Sequence, residues 1–313
     1  MSLLLLLPDR SPVIKTIGLT GRDFASAALY ASYLDGRDTL GLPEIGEFYN
    51  DGELVSAPVA FSGFVASAGN TVTLRPAAGQ GFKDHVNVAT NPGRYDASRG
   101  VALRGTGSYG TAIGAQPHMI FAGLQIDGGT QDAAIGGVVD NVTIDQCIVE
   151  CSSRDSNRSV VVLGGTTTAR NNLIVQRSFG NGLQAGNVGL LVDSNTIVRP
   201  SDVAAAGRAI ATAYGGTYTV VNNACFNFST FKDANGTDSG SSGFNGTDLA
   251  AAVGSNNQTS LTFTAQFEST TAANKDFRIV SGGALDDIGA TSLATDIIGQ
   301  ARPFGAADDI GCY

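Results

Sequence analysis

The sequence predicts an all-β protein, a right-handed parallel β-helix (solenoid) with an N-terminal capping helix. Three observations carry this. Five short segments repeat one pattern, at residues 122–126 (AGLQI), 145–149 (DQCIV), 171–175 (NNLIV), 194–198 (SNTIV) and 222–226 (NNACF), and their starts step by 23, 26, 23 and 28 residues. Repeats of this length, with small polar residues before a β-branched run, suit single rungs of a solenoid. Between them lie short apolar strands ended by glycine, at residues 159–165 (SVVVLGG), 182–186 (GLQAG) and 209–216 (AIATAYGG). Finally, 41 glycines with only 15% charged residues fit a chain of many tight corners better than a helical one.

In chain order, residues 1–20 read as an N-terminal arm. Its opening MSLLLLLPDRSP lacks the basic start and small-residue cleavage site of a secretory signal, and is far too short to span a bilayer. It suits a buried strand of the cap or an arm that adds a strand to a neighbouring subunit. Residues 21–100 read as an N-terminal cap. Within it residues 21–34 (GRDFASAALYASYL) form the one convincing helix, with Asp23 as N-cap and Phe24, Ala27, Ala28, Tyr30 and Leu34 as its apolar stripe. Short strands are expected at 44–49 and 71–75. Residues 101–232 hold the regular rungs. Residues 233–313 begin as a Gly/Ser-rich excursion, then regain strand-like segments at 260–265 and 276–280 and an apolar end at 310–313, so the chain should pack back on the body.

Aligning the five segments by column gives the expected interior. The second column, Gly123, Gln146, Asn172, Asn195 and Asn223, predicts a ladder of stacked amides (Gln146, Asn172, Asn195, Asn223), because rungs lie about 4.8 Å apart. The fifth column, Ile126, Val149, Val175, Val198 and Phe226, should face inward, and the sixth, Asp127, Glu150, Gln176, Arg199 and Asn227, should face water. Strand alternation then puts the fourth column, Gln125, Ile148, Ile174, Ile197 and Cys225, outside. Stacked Ile148, Ile174 and Ile197 would form an apolar stripe, covered by the C-terminal segment, redirected by a kink, or used as a subunit interface.

Chemistry is sparse. Asp127 and Glu150 should sit on successive rungs with backbones about 5 Å apart, the arrangement of a retaining glycosidase's nucleophile and acid/base, with Arg199 further along. Acidic residues in an exposed column are also ordinary surface. His85 and His118 sit in a cap loop and at the start of a rung and read as structural. Cys147, Cys151, Cys225 and Cys312 show no zinc or disulfide spacing. No metal site and no cofactor is expected. A formal net charge of −9 without a basic run argues against nucleic acid, and no membrane partner is expected.

The opening TIGLTGRDFASAALYASYL with EFYNDGE resembles the start of right-handed parallel β-helix proteins of tailed bacteriophages and related prophages. The closing stretches DFRIVSGGALDDIGA and ARPFGAADDIGCY are similar to the ends of many β-helix repeat proteins, secreted bacterial ones included. Enzymes of that family carry a calcium-binding Asp cluster with arginines, or paired aspartates with Gly-His-Gly, and neither set is present here. The resemblance therefore implies a noncatalytic virion structural protein, a spike, fibre or capsid-decorating subunit. It would be a homotrimer assembled in the bacterial host cytoplasm, attached to other virion proteins through its N-terminal region, with host surface polysaccharide as a ligand. The alternatives are a tailspike-type polysaccharide depolymerase using Asp127 and Glu150, and a bacterial surface carbohydrate-binding adhesin.

Overall fold

The computed structural model describes residues 11–39, 41–85, 94–107, 110–152, 158–186, 189–212, 215–273, 275–290, 293–303, 305 and 307–313. The five leucines of the expected arm lie outside these residues. The chain winds through three parallel sheets in a repeating cycle. Among the described residues the first sheet has nine strands, from Val13–Ile17 to Thr237–Asp238; the second has eight, from Leu54–Ser56 to Gly246–Thr247; the third has seven, from Val59–Ala60 to Thr230–Lys232. Each strand pairs in parallel with its equivalents one turn before and after. Winding starts well before residue 101: Glu44–Phe48 and Val72–Pro76, expected as pieces of a cap, are already neighbours in the first sheet. It also continues beyond residue 232, because the excursion supplies further rungs. No helix among the described residues is long and apolar enough to cross a membrane.

The corner between the first and second sheets fixes the register. Gly123, Gln146, Asn171, Ser194 and Asn222 all have φ between 52° and 65°, the left-handed region, where small and amide residues cost least. The residue after each of the last three is the ladder amide. The Oδ1 of Asn195 accepts from the backbone N–H of Asn172 at 2.9 Å and from its Nδ2 at 2.8 Å. Asn223 does the same for Asn195, at 3.0 Å in both bonds, and Asn245 and Asn257 extend the column beyond the predicted rungs.

Gln146 is not part of this ladder. Ile148 is the register partner of both Leu173 and Gln125, so Gln146 stands level with Asn171, and Cys147 occupies the ladder position. The backbone N–H of Cys147 donates to Asn172 Oδ1 at 2.9 Å, while Gln146 reaches outward to Thr295 Oγ1 and the carbonyl of Asp296, at 3.2 and 3.0 Å. The first two segments are thus aligned one residue early in the sequence reading. Two adjacent polar positions begin each repeat, and only the left-handed backbone tells them apart.

The same slip reassigns the apolar columns. Ile126, Val149, Ile174, Ile197 and Cys225 are mutual register partners and face the solenoid interior, joining one continuous core with Leu183 and Ile210 of the third sheet. Ile148, Leu173, Val175, Val198 and Phe226 face outward, beneath the C-terminal segment. Ile148, Ile174 and Ile197 each have 0% exposure, so they offer no surface to another subunit. The reason is physical: strands buried on both faces are apolar at every position, and alternation cannot be read from them.

The C-terminal segment supplies that outer cover. Phe267–Ser269 and Asp276–Ile279 form an antiparallel pair, and residues 263–265, expected as strand, form a 3₁₀ turn. Phe226 stacks on Phe263 and meets Phe267 edge-on, both at 5.3 Å between ring centres. Full burial of one such ring contributes about 2 kcal/mol. Leu285, Ile297, Ile310 and Cys312 complete the layer at 0% exposure.

At the other end the helix spans Ala27–Leu34, shorter than expected, and its cap is Ser26, whose hydroxyl accepts from the Leu29 N–H at 3.2 Å. Asp23 instead accepts from the Thr16 N–H and hydroxyl, at 2.8 and 3.1 Å, tying this segment to the first strand. Ala27, Tyr30, Ala31 and Leu34 close the open end of the core. Gly46 lets the helix sit this close, since a Cβ there would come within 2.7 Å of the Tyr30 ring.

Because Asn195 is 0% exposed and satisfies a backbone N–H of the rung before it, Asn195→Ala is expected to lower stability by about 2–4 kcal/mol. Asn171→Gly, at a left-handed position, should change stability by far less, and chemical denaturation of both variants measures the difference.

Candidate functional site

Asp127 and Glu150, the carboxylates singled out in the sequence, are register partners on adjacent rungs of the second sheet. They face outward, but each is only 1% exposed. Three cations seal them. Arg104, the register partner of Asp127 on the previous rung, places Nε 3.4 Å from Asp127 Oδ2. Arg177, just past the strand Leu173–Gln176, donates from Nη2 to Asp127 Oδ1 and holds Nη1 3.6 Å from Glu150 Oε2. Lys275, in the C-terminal cover, donates to both Glu150 oxygens at 2.7 and 2.6 Å. The Gly129 N–H adds a 2.8 Å bond to Asp127 Oδ1.

The network continues toward the N-terminus. Arg104 Nη1 lies 3.5 Å from Glu53 Oε2, and the Tyr95 hydroxyl donates to Glu53 Oε1 at 2.6 Å. Burial, reinforced by this bond to Glu53, pushes the Tyr95 hydroxyl well above its usual range, so it remains a protonated donor. The assembly joins consecutive rungs and a segment 125 residues away in sequence.

All four oxygens of the carboxylate pair are thus engaged. A retaining glycosidase needs one carboxyl group to deliver a proton and the other to approach the sugar ring. Asp127 and Glu150 are instead acceptors in a buried cross-link. Arg199, expected further along the same column, is elsewhere: Val198 is the residue in register. Arg199 has 0% exposure and donates to the carbonyls of Ala204, Gly180 and Ala206 at 2.7, 3.4 and 3.4 Å, and burial lowers its pKa to about 10. It holds down the loop that follows it.

Arg104, Arg177 and Lys275 were missed in the sequence. The first two follow once the register is right, since one shares the Asp127 column and the other ends the next strand but one. Lys275 carries no local signal at all.

The remaining candidates are structural. All four cysteines are buried, and burial pushes the Cys147 and Cys312 thiols up to about 12 and the Cys225 thiol well above its usual range. His118 occupies a corner at φ 61° and donates its N–H to the Asp140 carbonyl at 3.3 Å. No metal was expected; the one carboxylate group close enough for a cation among the described residues is Asp286, Asp287 and Asp309, with ligand atoms within 4.8 Å of one another. These belong to the paired DDIG stretches and clamp turns: Asp309 accepts from the Asp287 N–H at 2.9 Å and Asp286 from the Gly282 N–H at 2.5 Å. Burial, with Asp286 adding to it, raises Asp309 to about 6, and burial also raises Asp296.

Open concavities also lie among the described residues. One of about 440 Å³ lies on the first sheet, over Glu47, Arg75, Lys83, Asp84, Gly123 and Gln146. Another, of about 260 Å³, lies within the C-terminal cover.

No protein-family model matches this chain, and no curated protein matches it. Among solved structures, the crystal structure of pectate lyase Pel9A aligns over 97% of this chain and 96% of that chain, at 11% identity and a TM-score of 0.38. The pectin methylesterase from Aspergillus niger in deglycosylated form aligns over 79% and 92%, at 12% identity and a TM-score of 0.42. Likeness at this level carries nothing about activity, and the β-helix assignment rests on the strand pairing itself.

Two predictions follow from this chemistry. Lys275→Met leaves buried Glu150 without its main partner and should destabilise the protein by about 3–5 kcal/mol, while Lys275→Met combined with Glu150→Leu should recover most of the loss. Thermal unfolding of both variants checks this. Raised carboxyl groups at Asp309 and Asp296 stabilise the fold below their unfolded value and lose that contribution as pH rises through the folded one, about 6 for Asp309. Stability should therefore increase as pH is lowered from about 7.5 to 5, readable in Tm, and Asp309→Asn should flatten the dependence.

Proposed function

We propose that this chain is a structural subunit of a tailed-bacteriophage virion, a β-helical spike, fibre or capsid-decorating protein, attached through its N-terminal end. The observation that carries this reading is the surface of the first rungs. Ile14, Leu19, Leu29 and Val65 are 47%, 49%, 52% and 62% exposed, a concentration of large apolar side chains that a soluble surface has reason to cover. Val13–Ile17 is also the terminal strand of the first sheet; Phe24 pairs with it at Thr16 and Gly18, and among the described residues no further strand pairs with Val13 to Lys15 on that side, an edge this reading gives to another chain.

The rest of the body fits a load-carrying part. The amide ladder, a core continuous through the winding and an outer cover bolted by Lys275 together make a stiff rod. The depolymerase alternative loses its support, since the carboxylate pair it needs is a buried ion-pair node. In this reading copies assemble as a homotrimer within the host cytoplasm through the N-terminal end, not through Ile148, Ile174 and Ile197. The first-sheet face, with its open concavity, is the surface left for host polysaccharide.

Light scattering on the purified full chain is the direct test. A trimer is expected, and Leu29→Lys with Val65→Lys should reduce it to monomer without changing the circular dichroism spectrum. A wild-type monomer across concentration, or a trimer indifferent to both substitutions, would count against attachment through this end.

A further inference from the structure

The outermost strand of the first sheet, Val13–Ile17, has one residue whose backbone is open. Val13 donates its N–H to the Pro43 carbonyl at 2.9 Å, and the Ile17 carbonyl accepts from the Tyr49 N–H at 2.9 Å. Val13, Lys15 and Ile17 therefore turn their main-chain groups toward the neighbouring strand Glu44–Phe48, and alternation turns those of Ile14 and Thr16 to the far side. Thr16 is occupied there: its N–H donates to Asp23 Oδ2 at 2.8 Å and its carbonyl accepts from the Phe24 N–H at 3.0 Å. Among the described residues nothing meets the N–H and carbonyl of Ile14, whose side chain is 47% exposed. An edge of this kind accepts an added strand.

The chain carries a segment that suits this edge. Residues 3–7, outside the described residues, are five consecutive leucines. A run that is apolar at every position suits a strand covered on both faces. Added to its own chain, such a strand would keep one face in water, because the outer face of the first sheet is open at Ile14. Between two copies both faces are covered. The link also fits. Residues 8–12 (PDRSP) reach roughly 17 Å when extended, against the ~4.8 Å between paired strands. Pro8 and Pro12 fix their own φ and keep Leu7 and Ser11 out of the helical region, which favours an outstretched link over a tight reversal.

We propose that residues 3–7 of one copy add as a strand to the open edge at Ile14 of the next copy. The main chain of the arm closes the N–H and carbonyl of Ile14, and its leucines cover the Ile14 side chain. Every copy supplies one arm and one edge, so the exchange runs head to tail and closes in a ring of three with no edge left over. This inference rests on the N-terminal attachment proposed above and names the segment that makes it.

The test is directed cross-linking of full-length chains. Chains carrying Leu4→Cys, Leu5→Cys or Leu6→Cys are each co-expressed with chains carrying Ile14→Cys and then oxidised, so that a disulfide between the two introduced positions forms only between copies. Cys147, Cys151, Cys225 and Cys312 are buried and stay out of the reaction. At least one arm position should give a cross-linked species on a non-reducing gel, with the joined peptides identified by mass spectrometry. Ile14→Pro removes the outward N–H and leaves the bonds of Val13 and Lys15 in place; it should raise the concentration at which the trimer dissociates at least about tenfold, at an unchanged circular dichroism spectrum. Three outcomes would overturn the proposal: no cross-link from any arm position, a disulfide found only within one chain when both substitutions share it, or an Ile14→Pro trimer as tight as the wild type. Light scattering keeps the two readings separable, since a trimer without arm cross-links leaves N-terminal attachment standing, whereas a wild-type monomer removes both.

Discussion

The column of buried amides at the corner between the first and second sheets is the constraint on which the solenoid depends. A parallel strand pair closes its own backbone bonds, but the bend between sheets leaves N–H and C=O groups facing a dry interior. Asn172, Asn195, Asn223 and Asn245 answer this by accepting from the backbone of the preceding rung and donating to a carbonyl of that same rung, as Asn195 does to Ala169 at 2.9 Å. Each amide must stack directly on the next, so the ladder fixes register as well as satisfying polar groups. The left-handed residue ahead of each amide turns the chain so that this geometry is reached.

Register at the corner decides everything downstream along the second sheet. It sends Ile174 and Ile197 inward and Val175, Val198 and Phe226 outward, which in turn creates an apolar outer face that one protomer could not leave bare. The C-terminal segment covers it with aromatic rings, and where that apolar face ends, Asp127 and Glu150 begin. Buried carboxylates require partners, and Arg104, Arg177 and Lys275 provide them. The charge network is therefore the polar border of the same docking surface, which explains why residues that resemble a catalytic pair in sequence serve to bolt a cover in the fold.

The cover also gathers the more unusual chemistry. Its two DDIG stretches meet through an antiparallel bridge between Gly289 and Asp308, and Asp286 adds to the burial that raises the proton affinity of Asp309. Arg302 crosses behind them, bonded to main-chain carbonyls and not to the acids. A segment whose first task is to seal a sheet thus ends with a small polar cavity of its own.

The sequence by itself determined the class of fold and the identity of the ladder at Asn172, Asn195 and Asn223. Repeat length and paired amides are local properties, set by rung circumference and corner geometry. It also placed Asp127 beside Glu150, because both belonged to segments shifted by the same single residue. Tertiary structure alone decided the rest: that Gln146 is a corner residue, that the isoleucine columns split between interior and cover, that residues 44–76 are rungs and not a separate cap, and that the carboxylates meet Lys275. The physical reason is that a strand covered on both faces loses the alternation by which sequence reports direction, and an ion pair across 125 residues leaves no trace in local pattern.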